Sequence, residues 1–170
     1  MTTTDHLIEP HGGRLVDLMV DEARVAELKQ ASRDFPSWDL TPQQMCDLEL
    51  LMVGGFSPLE GFMTRADYDS VCADMRLADG TVWPIPITLN VSPELAESLS
   101  SGDRLALRDP EGVMLAVLTV SDVWEVDRDA EAESVFGTTD PTHPGVAHLM
   151  NRSTAFAVGG RVEGLELPEH

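Results

Sequence analysis

A chain of 170 residues with 42% hydrophobic content is long and apolar enough for one sizeable core, and too apolar for a disordered tail. Thirty acidic residues against eleven basic ones give a formal charge of −19, with Lys29 the only lysine. Such a surface repels phosphate backbones and anionic membranes, which argues against nucleic-acid and membrane-surface binding.

No apolar run approaches the roughly 20 residues of a bilayer span. The opening Met1-Thr2-Thr3-Thr4-Asp5 lacks the basic and apolar regions of a secretory leader. A cytoplasmic protein with a single domain over residues 1–170 is therefore expected. The two cysteines, Cys46 and Cys72, are expected as small core residues on buried helix faces rather than as a disulfide.

Residues 1–7 are expected to form a loose leader. Pro10-His11-Gly12-Gly13 is a turn, and Leu15-Val16-Asp17-Leu18 alternates like a short strand. The His11 ring is expected to hydrogen-bond and pin that glycine turn, rather than serve as a base or ligand. Asp21 to about Arg33 is helical, broken at Asp34-Phe35-Pro36-Ser37-Trp38-Asp39, where Phe35 and Trp38 should enter the core. Thr41 then caps a second helix, with Pro42 at its first position and Gln44 completing a capping box. Met45, Leu48, Leu51 and Met52 fall on one face of it. Gly54-Gly55 stops this helix, Ser57-Pro58 forbids its restart, and Gly61 permits another sharp turn. A third helix starts at Thr64, with Tyr68, Val71, Cys72 and Met75 on one face, so the connector between them should bury Phe56 and Phe62.

In the second half, Ala78-Asp79-Gly80-Thr81 is a tight turn and Val82 to Asn90 is extended. Pro84 and Pro86 cannot donate to a ladder, which puts this segment at an edge or leaves its start irregular. Ser92-Pro93-Glu94 opens a short helix. Asp103 to Arg108 alternates, Asp109-Pro110-Glu111-Gly112 makes a hairpin turn, and Val113 to Val126 is a long strand bending at Ser121-Asp122. Asp127 to Phe136 reads as an acidic helix with Asp129, Glu131 and Glu133 on a solvated face. Gly145 to Asn151 is a helical turn or two. Ala155 to Val158 and Arg161 to Leu167 read as a closing hairpin around Gly159-Gly160. These elements predict an α+β fold built on a small β-barrel with helices packed outside.

No chemistry-bearing constellation emerges. There is no phosphate-binding Gly-x-x-x-x-Gly-Lys-Ser/Thr loop, and Lys29 lies inside a helix. His143 and His148 are five residues apart, off the spacing that sets two imidazoles on one helix face. Ser57 is no nucleophile elbow, because Pro58 has no N–H to stabilise an oxyanion. Arg14, Arg65, Arg104, Arg108, Arg152 and Arg161 show no convergence on one anion pocket. Catalytic, cofactor-binding and metal-ligating residues are all assigned as none, and no cofactor is expected.

Four stretches nevertheless form a recognisable series: Pro10-His11-Gly12-Gly13-Arg14-Leu15, Gly54 to Met63, Trp83-Pro84-Ile85-Pro86-Ile87-Thr88-Leu89, and Val162-Glu163-Gly164-Leu165-Glu166-Leu167-Pro168. In order and rough spacing, from about Ile8 to Pro168, the chain resembles the N-terminal domain of ATP sulfurylases (sulfate adenylyltransferases). The resemblance implies a PUA-like α+β fold. It also implies a place in the enzyme that makes adenosine 5′-phosphosulfate and pyrophosphate from ATP and sulfate. The family's nucleotidyl-transfer motifs, Gln-x-Arg-Asn-Pro, His-x-x-His and Gly-Arg-Asp-His-Ala, belong to a following domain and are absent from these 170 residues. The expectation is an accessory domain, inactive alone, whose partner is that catalytic domain in cis or in trans, with homo-oligomerisation left open. The alternative is a stand-alone PUA-like binding or regulatory module acting with a separate partner. Many PUA domains bind RNA, but the charge of this chain opposes that use.

Overall fold

The computed structural model describes residues 7–151 and 154–169; the leader expected over residues 1–7 lies almost wholly outside them, as does Arg152. Among the described residues, six strands form one mixed sheet: β1 (Ser37–Asp39), β2 (Gly61–Phe62), β3 (Leu89–Val91), β4 (Arg104–Arg108), β5 (Met114–Glu125) and β6 (Phe156–Gly164). The order is β1-β4-β5-β6-β2, with β3 also on β6. The β1–β4 pair is parallel and the other strand pairs are antiparallel. No described pairing joins β1 to β2, so the sheet is open at both ends where the sequence reading had a barrel.

The described residues also form six α-helices: α1 (Glu22–Ala31), α2 (Pro42–Met52), α3 (Arg65–Asp74), α4 (Pro93–Ser98), α5 (Arg128–Phe136) and α6 (Pro144–Asn151). Five start on a side chain that takes up an orphan backbone donor: Asp21, Thr41, Thr64, Ser92 and Asp127. At α2 the capping box is complete. Gln44 Oε1 accepts from Thr41 N and from Trp38 Nε1, both at 3.0 Å, while its amide donates to Asn90 O at 2.7 Å. One buried amide thereby ties α2 to β1 and β3. No described helix is long and apolar enough to cross a membrane.

The strand that organises the sheet is β6. It pairs with β5 along its whole length on one edge, from Ala116↔Gly164 to Glu125↔Phe156. On its other edge it pairs first with β3 and then with β2. The sequence reading of a hairpin turning at Gly159-Gly160 is therefore corrected: the pair lies inside one continuous strand. Both glycines are there because neighbouring backbone leaves no room for a Cβ. One on Gly159 would overlap the Met63 carbonyl oxygen, one on Gly160 that of Thr119, and one on Gly61 that of Gly160 itself. A glycine pair in an apolar run signals a turn or a close approach equally well.

Other expectations shift for similar local reasons. Residues 15–18 do alternate, with Val16 and Leu18 buried and Leu15 and Asp17 outside, but they form no ladder. Leu18 N binds Met52 O instead, and Gly164 N binds Leu18 O. Pro84 and Pro86 keep the extended run irregular until Leu89, as anticipated. In β5 the bulge between Val120 and Asp122 turns Asp122 Oδ2 onto Arg65 N, 3.2 Å away at the start of α3. Cys46 is exposed, Cys72 is half-buried, and Met75 is outside in a left-handed helix cap, so only part of each expected apolar face is core. Phe62 is buried and Phe56 partly so.

Replacing Gly160 by Ala should destabilise the fold by at least roughly 3 kcal/mol, the upper end for overpacked cores, because the obstacle is backbone rather than a rotatable side chain. Gly112→Ala, in a positive-φ hairpin turn with open space around it, should cost about 1 kcal/mol. Urea unfolding of both variants checks this; equal losses would mean that β6 tolerates a side chain at its crossing point.

Candidate functional site

Three of the four stretches that carry the resemblance meet on one side of the molecule. The His11 Nε2 proton is donated to the Val82 carbonyl at 2.6 Å, which fixes the ring's tautomer, and the ring lies 5.9 Å from that of Trp83. Phe56 meets Trp83 edge-on, also at 5.9 Å. Ser57 Oγ accepts from Val16 N at 2.9 Å and donates to Gly54 O at 2.7 Å, locking the glycine loop to the extended 15–18 segment. The histidine thus clamps the Pro10–Gly13 turn to the Trp83 stretch.

An open cleft of about 540 Å³ lies beside this junction, reached by Arg14, Glu60, Thr64, Asp67, Asp79 and Arg161. The Arg14 and Glu60 side chains pair at 2.9 Å with both ends in water, so the pair contributes little stability. The Arg14 guanidinium nonetheless holds the Glu60 carboxyl below its ordinary range, with a smaller contribution from the field of Arg161. Arg14 and Arg161, which the sequence left unconnected, are therefore brought together around one carboxylate. At the far side, Asp67 and Asp79 accept backbone N–H groups of Ala78 and Thr81. The cleft carries both signs of charge.

Ser57 is buried with its hydroxyl engaged on both sides by backbone, which leaves it neither access nor a base. Among the described residues no group of three or more His, Cys, Asp or Glu side chains is placed to hold a metal ion. His143 accepts from Gly145 N at 3.1 Å and stacks on Phe136, a structural cap at the start of α6. His148 lines separate hollows on that side.

Comparison with known proteins decides what this architecture is. The description "PUA-like domain" matches residues 8–167, nearly the whole chain. The chain belongs to the PUA-like domain family. This PUA-like domain is 48% identical over 164 residues to the sulfate adenylyltransferase of Kluyveromyces lactis, covering 95% of this chain and 32% of that protein. Identity to the Saccharomyces cerevisiae sulfate adenylyltransferase is 46%, with the same coverage. For that of Symbiobacterium thermophilum it is 45%, over 95% of this chain and 41% of the relative. A solved structure described as a hexameric APS kinase from Thiobacillus denitrificans superposes with a TM-score of 0.73 at 41% identity, over 96% of this chain and 28% of that one. The chain thus spans about a third of the length of the yeast relatives, and the resemblance read from its motifs is borne out.

One polar interaction of the PUA-like domain was misread from sequence. Glu131, expected on a solvated face, is buried and accepts the Tyr68 hydroxyl at 2.7 Å, joining α5 to α3. The Asp129-Ala130-Glu131-Ala132-Glu133 run carries no signal of which acid turns inward; Ala132, fully buried next to it, was the available hint. Burial, followed by the Glu131 charge, pushes the Tyr68 phenol far above its ordinary value. Burial also pushes the neighbouring Cys72 thiol up to about 11, so it stays protonated and unreactive at neutral pH.

Both groups hold their protons longer in the folded chain than in the unfolded one, so stability present below their unfolded pKa values is lost as pH rises. The decline should begin near pH 9 through Cys72 and steepen above about pH 10 through Tyr68. Tyr68 is the only tyrosine, so phenolate absorbance should appear only together with unfolding. Tyr68→Phe should flatten the steeper part while costing about 1–3 kcal/mol at neutral pH, because Glu131 loses a donor. A normal phenolate titration in the native chain would contradict this account.

Proposed function

We propose that this chain is the accessory, non-catalytic PUA-like domain of a sulfate adenylyltransferase, which joins ATP and sulfate into adenosine 5′-phosphosulfate and pyrophosphate in sulfate assimilation. The observation that carries the reading is the 48% identity to the K. lactis enzyme over 95% of this chain and only 32% of that enzyme. The arrangement of the matched motifs supports it: His11, Ser57 and Trp83 hold loops to one another and present no reactive group. In this reading residues 1–170 act as one domain whose partner is the catalytic domain, in cis or in trans.

Homo-oligomeric assembly belongs to the same proposal, supported by the hexameric description of the T. denitrificans relative. So does a cytoplasmic location without nucleic-acid or membrane binding, which the charge of −19 supports. The partly closed barrel also stays here as a proposal, supported by the β5 bulge and by β6 serving two different neighbours along one edge.

Purified chain given ATP, sulfate and magnesium should release no sulfate-dependent pyrophosphate. Substituted for the matched third of the K. lactis enzyme, it should leave that enzyme active. Turnover by the chain alone would overturn the accessory role. A folded but inactive hybrid would favour a stand-alone module acting with some other partner.

A further inference from the structure

The register of the sheet lines up three donors that the fold leaves unused. Arg104 of β4 pairs with Thr119 of β5, and Thr119 pairs with Arg161 of β6. Directly paired residues share a face of the sheet, so the three side chains stand in one row across it. The two arginine backbones are about 10 Å apart, two strand spacings, so both guanidinium groups can reach over Thr119. In the sequence the arginines showed no convergence; the strand register supplies it.

The row is open to solvent. Two residues along on the same face, Ala106, Val117 and Glu163 form the next row, where Ala106 and Val117 are buried with Leu28 of α1. That cover ends before the arginines: Arg161 is exposed, and Arg104 and Thr119 are partly so. The Arg104 guanidinium lies over the Phe35 ring at 5.7 Å, which restrains it beside the row.

Neither guanidinium makes a hydrogen bond or ion pair among the described residues, and the Thr119 hydroxyl makes no hydrogen bond among them. The carboxylates nearby have arginines of their own. Glu163 takes Arg24 on both oxygens, at 2.8 and 3.1 Å, and Glu60 takes Arg14 at 2.9 Å. The Arg24 bonds hold the Glu163 carboxyl below its ordinary range, and the fields of Arg104 and Arg161 add to the effect, so both charges act on one spot. Arg24 turns its remaining nitrogen to Glu27. The charges of Arg104 and Arg161 are left without a contacting anion.

We propose that the Arg104–Thr119–Arg161 row binds a small tetrahedral oxyanion, a sulfate or phosphate group, free or at the end of a small molecule. Two guanidinium forks and a hydroxyl supply donors from three directions, which a tetrahedral group meets and a planar carboxylate leaves partly unfilled. The field limits the size of the ligand. A chain at −19 repels a polyanion at long range, whereas one or two charges seated between two arginines are held at short range. The site stands apart from the accessory-domain reading, since none of the four stretches behind that reading includes Arg104, Thr119 or Arg161.

Titration of the chain with inorganic sulfate and with inorganic phosphate, chloride holding ionic strength constant, tests this through the arginine Nε–Hε NMR signals. Those of Arg104 and Arg161 should shift and saturate together. Those of Arg76 and Arg108, bonded to the chain's own carbonyls, should stay in place. Arg104→Gln with Arg161→Gln should weaken binding at least about tenfold, and Thr119→Val by a smaller factor. Shifts that never saturate, or that the double variant keeps, overturn the proposal. Acetate binding as tightly as sulfate overturns it too. Should the double variant fail to fold, the titration of the unaltered chain decides by itself. Phenyl phosphate binding more tightly than inorganic phosphate supports the site with a small molecule as its source, and equal binding supports it with the free anion.

Discussion

The structure depends on three places where a strand has no side chain. Gly159 and Gly160 in β6, with Gly61 in β2, let three backbones cross closer than any Cβ allows. Because of this, β6 can hold β5 on one edge while changing partner from β3 to β2 on the other. That change brings the loop after α2 against the sheet, and Met63 N then reaches Ile87 O. Fill one of these positions and the loop moves outward, taking Phe62 and Met63 from the core they occupy. The apolar core is thus a consequence of backbone proximity as much as a cause of it.

The same tightness engages three polar residues inside the molecule. Gln44 uses both ends of its amide, Ser57 uses its hydroxyl as donor and acceptor, and Glu131 takes the Tyr68 hydroxyl. A buried polar group without partners costs several times what a satisfied one contributes, so interiors of this kind keep such groups engaged. Catalysis requires the reverse, a group left available in a place that substrate can reach. The polar groups here that link distant segments are engaged with the chain itself, while the Trp83 and Trp124 indole N–H groups and the Thr154 hydroxyl are buried without a hydrogen-bond partner among the described residues.

What could be read from the sequence was whatever is written within one turn of chain. Asp21, Thr41, Thr64, Ser92 and Asp127 cap five helices because a short acceptor side chain before a helical run needs nothing distant to act. The 109–112 hairpin and the bend at Ser121-Asp122 are local in the same sense. What could not be read depends on residues far apart. Gly159-Gly160 resembles a turn until Met63 and Thr119 are seen against it, and β1 exists only because β4 lies alongside. Glu131 resembles its solvated neighbours until Tyr68, 63 residues earlier, arrives opposite it. The cleft between Arg14 and Arg161 had no sequence signature at all, since only the β2–β6 register puts Glu60 between them.

The distribution of the few cations completes the picture. Arg24 forks onto Glu163 at 2.8 and 3.1 Å, and Arg65 lies 3.7 Å from Asp69. Arg76, Arg108 and Arg128 donate to the chain's own carbonyls, and Arg104 covers the Phe35 ring. With most arginines committed internally, the acids set the long-range field, and that field opposes every polyanion. Close association must then come from short-range terms, apolar contact and single well-placed ion pairs, which act inside a Debye length and are screened less as they become buried. An acidic domain of this design associates by fit rather than by attraction from afar.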